Sequence, residues 1–581
     1  MPKVRLPLVG VENPRGIDGK TVIDVGQDQE FLNVIFDFVA NPITKKATVY
    51  VERRPGWKQQ AVIAAGSVST GFLRAESMAT TISAFGTVNS TIYDSTVSVG
   101  AITGRALYFS ETILSSDTYV MIRSSDGTGW YYATGARDKT SYTGDTHTNT
   151  TIDGIASTDG MYSGQAISGT GIQAGTRILT VDTGVAITVD TATTATATIT
   201  ITKTPIAKIL DADFITTGEN LSGFVEMDGY IFYCSEDGYV YHSDQNSFIS
   251  WTSTNKIAAN MSPDLPVAIG RHKNAIISHG RSSTEFFYNA GNASGSVLSR
   301  SEQNFKHIGV QNQRSVVQLE DDIYFVSSSK EGDIRVERLR DFGMQRVSTP
   351  QVDRILGTAS ATGSELYLSS FNMGGYSYVS VICTEPTSTG FSNLEDDYYV
   401  LHEDGYKRIL EAFSAGFTVT LIYNVDLNIW IPWDGTLLTF VRGSGQGAVN
   451  KIMATSIVNT GGKIYNINPA SDGAVYQDDG STYSTIIRTS EIDHGTDDWK
   501  FPSKISLIAD TEAGGTVLLE ANDNGFASGS WFTVGTFDLT ETRKDIHGGR
   551  AYVGGRSYRL THAYNGPLRA SALDIEYELE K

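Results

Sequence analysis

Polar and apolar residues alternate without a break over 194–202, which reads Thr-Ala-Thr-Ala-Thr-Ile-Thr-Ile-Thr. Period two with β-branched side chains predicts a strand with one polar and one mildly apolar face. Near the other end of the chain, Leu573, Ile575 and Tyr577 share one face, and Asp574, Glu576 and Glu578 the other. That is the pattern of a half-buried antiparallel strand. Lys504-Ile-Ser-Leu-Ile508, Thr516-Val-Leu-Leu-Glu520 and Tyr558-Arg-Leu-Thr-His562 add strands separated by turns. In the middle, Tyr230-Ile-Phe-Tyr-Cys234 and Tyr239-Val-Tyr-His242 flank Asp237-Gly238. Both residues of such a pair tolerate positive φ, so a tight hairpin is expected. Asp-Gly occurs ten times, and Asn-Gly adds 524–525 and 565–566. No stretch predicts an amphipathic helix of three turns; 28–40, rich in Phe, Val and Ile, reads equally well as a strand.

The strand-like runs have a loose period. They start near Tyr230, Ala275, Ile323, Leu366 and Val419, with gaps of 45, 48, 43 and 53 residues. Each interval holds about four short strands, and propeller blades of four strands run ~40–50 residues. Between 153 and 202 the only charged residues are Asp153, Asp159, Arg177, Asp182 and Asp190. That change of texture marks a small β domain set into a loop. From about Thr485 the strands lengthen toward a sandwich. Leu6, Val9 and Val11 precede a turn at Asp18-Gly19, and Pro55-Gly56 changes the chain's direction. The fold class expected is all-β: a β-propeller with a β-sandwich platform and a small inserted β domain. The expected boundaries are 1–55 for an N-terminal segment packing with the C-terminal platform, 56–143 for the first part of the propeller, 144–203 for the insert, 204–484 for the remaining blades, and 485–581 for the sandwich.

Composition supports a folded chain: of 581 residues, 40% are hydrophobic and 19% charged. With 62 Thr, 56 Ser, 58 Gly and only 14 Pro, it is rich in strand and turn formers and is no Pro-rich stalk. Lys and Arg number 45 against 65 Asp and Glu, a net charge of −20. General nucleic-acid binding is disfavoured by that balance, although a surface past which DNA slides without sticking is compatible with it. Two cysteines, Cys234 and Cys383, make neither a disulfide framework nor a zinc site. Pro7 and Glu12 interrupt the first apolar residues before a signal core forms, and no run approaches 18 apolar residues. The expectation is a soluble product made in a reducing compartment, or one that needs no bridges, without a membrane span.

Candidate chemistry is sparse. Gly19-Lys20-Thr21 resembles the tail of a phosphate-binding loop, but Pro14 stands where the first glycine belongs. There is no Gly-x-Ser-x-Gly elbow and no His-Glu-x-x-His; His272 and His279 are the closest histidines. Glu320-Asp321-Asp322, Glu395-Asp396-Asp397, Asp478-Asp479 and Asp497-Asp498 could pair carboxylates for glycoside hydrolysis. They precede strands or lie in turns, where solvated acids are ordinary. Ser124-Ser-Asp-Gly-Thr-Gly-Trp130 approximates the Asp box of sialidase-like propellers, with Thr128 at its glycine position. Arg335, Arg338 and Arg340 would have to form the carboxylate clamp of such an enzyme, and Glu337 and Asp341 are expected to neutralise them. No catalytic, cofactor or metal residue is assigned, and no cofactor is expected.

The informative stretch is 209–355. It contains Asp211-Ala-Asp213-Phe214, Asp228-Gly229-Tyr230, Ser243-Asp244, Trp251 and Ser262-Pro263-Asp264. Gly280-Arg-Ser-Ser-Thr-Glu-Phe-Phe287, Gly291, Ser301-Glu302, Ile308-Gly309 and Val347-Ser-Thr-Pro350 follow. Upstream lie Asn41-Pro42 and Arg53-Arg54-Pro55-Gly56. This ordered series resembles the packaged-DNA stabilisation proteins, the tail hub or nozzle proteins of short-tailed bacteriophages. The insert at 144–203 departs from the simplest members of that family.

The resemblance implies a propeller on a sandwich platform, in a homo-oligomeric ring of six copies below the portal or adaptor ring. The ring extends the DNA channel, retains the genome, lets DNA pass without specific binding, and anchors tail fibres or spikes. It implies a virion tail protein assembled in the host cytoplasm, and no enzyme. Acidic residues facing the channel would repel phosphates, leaving retention to a steric gate for which the loop Gly443-Ser-Gly-Gln-Gly447 is a candidate. A receptor-binding fibre or adhesin, and a propeller enzyme degrading glycans, are the alternatives.

Overall fold

The computed structural model describes residues 3–8, 10–13, 22–24, 30–40, 47–63, 69–75, 83–94, 97–104, 106–114, 117–133, 136, 138–214, 222–330, 332, 334–361, 366–383, 419–434, 437–443, 451–456, 462–467, 476–493, 496, 498–524 and 530–580. The turn at Asp18-Gly19, the segment Gly19-Lys20-Thr21, the acids Glu395-Asp396-Asp397 and loop residues 444–447 lie outside them.

Seven antiparallel sheets of blade type follow one another among the described residues. Blade 1 spans 69–101. Blade 2 is 106–133 with the end of strand Thr196–Lys208. Blades 3 to 6 span 225–258, 266–300, 309–346 and 366–434. Blade 7 combines Leu437–Gly443, Lys451–Ser456 and Lys463–Ile467 with Trp57–Val62 from the start of the chain. Strand Ser69–Ala75 touches both Ala106–Leu114 of blade 2 and Leu437–Gly443 of blade 7, so the series returns to its origin. Between blades 2 and 3 the contact is aromatic: Tyr119 and Phe248 rings lie 4.3 Å apart. Among the described residues no single sheet closes; the closure is between sheets, and the Trp57–Val62 strand fastens it.

Stacked blades bury both faces of their middle strands. Ala275–Gly280 and Gly129–Ala133 are buried at every position. Such strands read as apolar runs rather than alternations. The insert shows the opposite pattern, because Ser141–His147 alternates exposed and buried residues. It has its own core, including Tyr142, Ile152, Ile178, Ile187 and Ile201. Strand Thr196–Lys208 belongs to both bodies: it pairs Ser141–His147 through 196–202, then Trp130 and Tyr131 through Lys208 and Ala207. As the outermost strand of blade 2, it sets the insert at the propeller's rim.

The platform packs two sheets. One runs Lys544–His547, Trp499–Ala509, Arg569–Glu580, Ala47–Arg53, Val34–Ala40, with Lys3–Pro7 beside Arg569–Glu580. The other runs Glu30–Leu32, Thr485–Arg488, Ser557–His562, Thr516–Asn522, Phe532–Asp538. Phe36, Val51, Ile505 and Ile575 meet Ile487, Leu519, Phe537 and Leu560 in one core, which also takes Tyr378, Ile422 and Trp433 from blade 6. The alternation at 573–578 holds for Leu573, Ile575 and Tyr577, which are buried. Asp574 on the polar face is buried as well, because Arg5 donates to both its oxygens at 2.7 and 2.9 Å.

One helix corrects the sequence expectation. Pro350–Ala361 is an α-helix of 12 residues. Thr349 precedes it, and Pro350 takes the first position, where a missing N–H costs nothing. Val352, Ile355, Leu356 and Ala359 form its buried stripe against blades 5 and 6.

Candidate functional site

The axis of the propeller is occupied by its own chain. The 3₁₀ turn Gln313–Ser315 enters blade 5, held by a reciprocal capping box between Asn312 and Ser315. The Gln313 side-chain oxygen accepts from Gly223 N at 3.1 Å and Ile269 N at 2.7 Å, and its amide donates to Ile269 O at 2.9 Å. Gly223 leads into blade 3, and Ile269 lies in the first strand of blade 4. Arg314 donates to the Tyr367 hydroxyl of blade 6. Its guanidinium lies 5.0 Å from the Tyr367 ring centroid and 6.0 Å from that of Tyr108 in blade 2. Blades 2 and 6 stand nearly opposite in a ring of seven. A side chain that reaches both spans the central hole.

The second built feature is the joint between propeller and platform, carried by Arg53 and Arg54. Arg54 is fully buried. It donates to Asn33 Oδ1 at 2.9 Å, Asp434 O at 2.9 Å and both oxygens of Asp478 at 3.0 and 2.6 Å. Rings of Tyr483 at 3.9 Å and Trp57 at 4.5 Å cover its faces. Burial raises the Asp478 pKa and outweighs the Arg54 charge that opposes it. Arg53 donates to the carbonyl oxygens of His562 and Tyr483 at 3.0 and 2.8 Å. Its pKa is lowered by burial. Gly56 is required here: a Cβ would lie 2.2 Å from Gln477 O. Nearby, Arg569 binds Glu52 at 2.6 Å, Asp37 at 2.8 Å and Asp510 at 3.3 Å. The joint uses rigid, planar cations rather than a flexible linker.

The residues singled out by sequence fall into structural roles. Ser124–Trp130 is a hairpin turn of blade 2: Asp126 Oδ1 accepts from Thr128 N and Oγ1 at 3.1 and 2.6 Å, and Trp130 Nε1 donates to Thr128 Oγ1 at 2.7 Å. His272 lies opposite Ala275 and His279 opposite Ala268, so they are not brought together. No group of three or more potential metal ligands occurs among the described residues. The pair Asp478-Asp479 holds cations: Asp478 holds Arg54, and Asp479 holds Lys463 at 2.8 Å; Asp497 lies outside the described residues. Arg340 is neutralised by Asp322, at 2.5 Å, not by Glu337 or Asp341 as expected; Asp341 binds Lys273. Both cysteines are buried, and burial pushes their thiols up to about 12. Gln313 and Arg314 were not singled out by sequence. The polar run Gln311-Asn-Gln-Arg314 between two strands was the available signal.

A family model described as "Phage_stabilise: Bacteriophage P22 Gp10, beta-propeller" matches residues 185–379. The match covers about a third of the chain, and over those residues the chain is similar to the phage stabilisation family. Its members are structural proteins of phage, and the family description names the propeller. No curated protein matches the chain. Among solved structures, Raptor from Chaetomium thermophilum is 10% identical with a TM-score of 0.36, covering 72% of this chain and 29% of that one. The computationally designed Ika8 protein is 10% identical with a TM-score of 0.34, covering 71% and 100%. An exo-beta-1,3-galactanase from Phanerochaete chrysosporium, with galactose, is 9% identical with a TM-score of 0.22, covering 63% and 98%. Likenesses at this level carry no argument about function.

Proposed function

We propose that this protein is a phage stabilisation protein, the tail hub or nozzle of a short-tailed phage. Six copies form a ring below the portal or adaptor, extend the DNA channel, retain the packaged genome and anchor fibres or spikes. The protein works in the virion tail and assembles in the host cytoplasm. The family match over 185–379 carries the reading.

Two physical features support it. Gln313 and Arg314 fill the propeller's axial hole, so a duplex would pass beside the propeller, through the bore between copies. A net charge of −20 favours a bore that repels phosphates and leaves passing DNA hydrated. The rigid arginine joint would keep the platform at a fixed angle, which ring closure by head-to-tail contacts requires.

The test is a phage lacking this protein. Its particles are expected to package DNA and then lose it, measured as nuclease-sensitive genome after packaging. Particles that keep their DNA and fail only at adsorption would replace the hub reading with a receptor-binding one.

A further inference from the structure

The far end of the platform carries exposed apolar side chains on a rigid support. Strand Arg569–Glu580 starts beside the joint, where Leu568 O accepts from Arg53 N at 2.9 Å. At ~3.3 Å per residue, its other end lies about 36 Å away. There Lys500 pairs with Leu579 and bridges to Tyr552. Lys500 is fully buried. Its ammonium donates to the carbonyl oxygens of Thr496, of Asp498 at 3.4 Å and of Gly554 at 3.1 Å, and lies 5.4 Å from the Tyr552 ring centroid. One cation thus fastens both loops of the tip.

Around it, Trp499 is 50% exposed, Phe501 38%, Val553 48% and Leu579 44%. Trp499 and Phe501 share one face of the sheet, Leu579 lies opposite Lys500 on the other face, and Val553 follows Tyr552, the residue that bridges to Lys500. Two large aromatic side chains adjacent on one face of an ordered strand mark an interaction site, whereas single ones such as Tyr288 do not. The rim is acidic: Glu491, Asp493 and Glu578 are exposed and Asp498 is half-buried. Arg550, exposed in the same region, lies over the Phe532 ring at 5.3 Å.

We propose that this tip is a docking surface for a different protein, one that offers an apolar pocket rimmed by lysine and arginine. The proposal rests on the virion reading above and names the chemistry of one partner. A second copy docked tip to tip is the poorer occupant, because the acidic rim would then face its own like. The tip is smaller than the ~800 Å² per side of a standard interface, so it is the anchor of a larger contact.

Hydroxyl-radical footprinting of virions and of the purified chain tests this. Trp499 and Phe501 are expected to oxidise in the purified chain and to be protected at least ten-fold in virions, while Tyr288 oxidises in the purified chain as the exposed reference. Carbodiimide coupling in virions is expected to join Glu578 or Asp498 to lysines of another polypeptide. Equal oxidation of Trp499 and Phe501 in both samples overturns the proposal and leaves the virion reading intact. Cross-links confined to a second copy overturn it in favour of self-association. Virions without this chain sink both readings. The double variant Trp499→Ser, Phe501→Ser is expected to keep its thermal midpoint and lose at least ten-fold in incorporation; incorporation at the wild-type level also overturns the proposal.

Discussion

Arg314 of the 3₁₀ turn in blade 5 and Tyr367 of the neighbouring blade 6 are hydrogen-bonded at the axis of the propeller. The contact ties a loop entering one blade to the innermost strand of the next, and the same guanidinium reaches Tyr108 on the far side. Arg314→Ala removes the bond and both ring contacts. A loss of about 1–3 kcal/mol is expected. Arg314→Lys should recover only part, because an ammonium lacks the planar fork. Urea unfolding measures both; an alanine variant with the wild-type midpoint would show that the axial contact adds nothing.

At the joint, Asp478 is the carboxylate that faces a fully buried Arg54. Asp478→Ala leaves that guanidinium without its counter-charge, and breaking such a pair costs about 3–5 kcal/mol. The whole chain is expected to unfold earlier in denaturant, because the core at the joint is shared between platform and blade 6. A change below about 1 kcal/mol would mean that Asn33 and the carbonyl oxygens satisfy Arg54 alone.

What could be read from sequence was local. The Asp237-Gly238 hairpin forms as expected, with Gly238 at φ 88°. Propeller spacing was visible at Tyr230, Ala275 and Ile323, each in the same strand of its blade, and Leu366 opens the next; Val419 was misread as a new unit, because it lies in the third strand of the blade that Leu366 opens. The axis was not, since it gathers Tyr108, Gly223, Ile269, Arg314 and Tyr367, and no periodicity tells which loop will cross it. Arg53 and Arg54 stood out as a motif, but charged residues are seldom fully buried unless paired, and their partners lie some 380 to 510 positions away. The helix at Pro350–Ala361 was legible in principle through Val352, Ile355, Leu356 and Ala359; Gly357 and short polar residues diluted its stripe. Arg340 was assigned to near neighbours, yet the strand pairing brings Asp322 to it from 18 positions away.

The insert at the rim allows a prediction about packing. Arg177 lies 5.0 Å from the Trp130 ring centroid and donates to Gly164 O at 2.7 Å, and the Tyr131 hydroxyl donates to Ser163 O. Replacing 144–203 with a short Gly/Ser linker should leave the blades folded, since loop length costs little. It should also uncover Trp130, now 1% exposed. The expected outcome is a retained far-ultraviolet dichroism spectrum with red-shifted tryptophan emission. Loss of the dichroism spectrum would mean that blade 2 needs the insert to fold.

The pH dependence of stability should report His279. This residue is fully buried in blade 4, its Nδ1 2.9 Å from Thr284 Oγ1 and its ring 5.4 Å from Phe325. Burial pushes its pKa down to about 3. In the unfolded chain the value is about 6.5. Below that pH the unfolded state binds a proton that the folded state refuses, so stability is complete above pH ~6.5 and falls as pH drops toward ~3. The slope approaches 1.4 kcal/mol per pH unit, or about 2 kcal/mol between pH 6.5 and 5. Burial also lowers the pKa values of His242, His272 and His562, which add in the same direction. His279→Gln is expected to be less stable than wild type at pH 7.5, yet to lose less on acidification, so the two stability curves converge toward pH 5. Urea titrations at pH 5, 6 and 7.5 decide the matter: parallel curves would mean that His279 takes up its proton inside the folded blade.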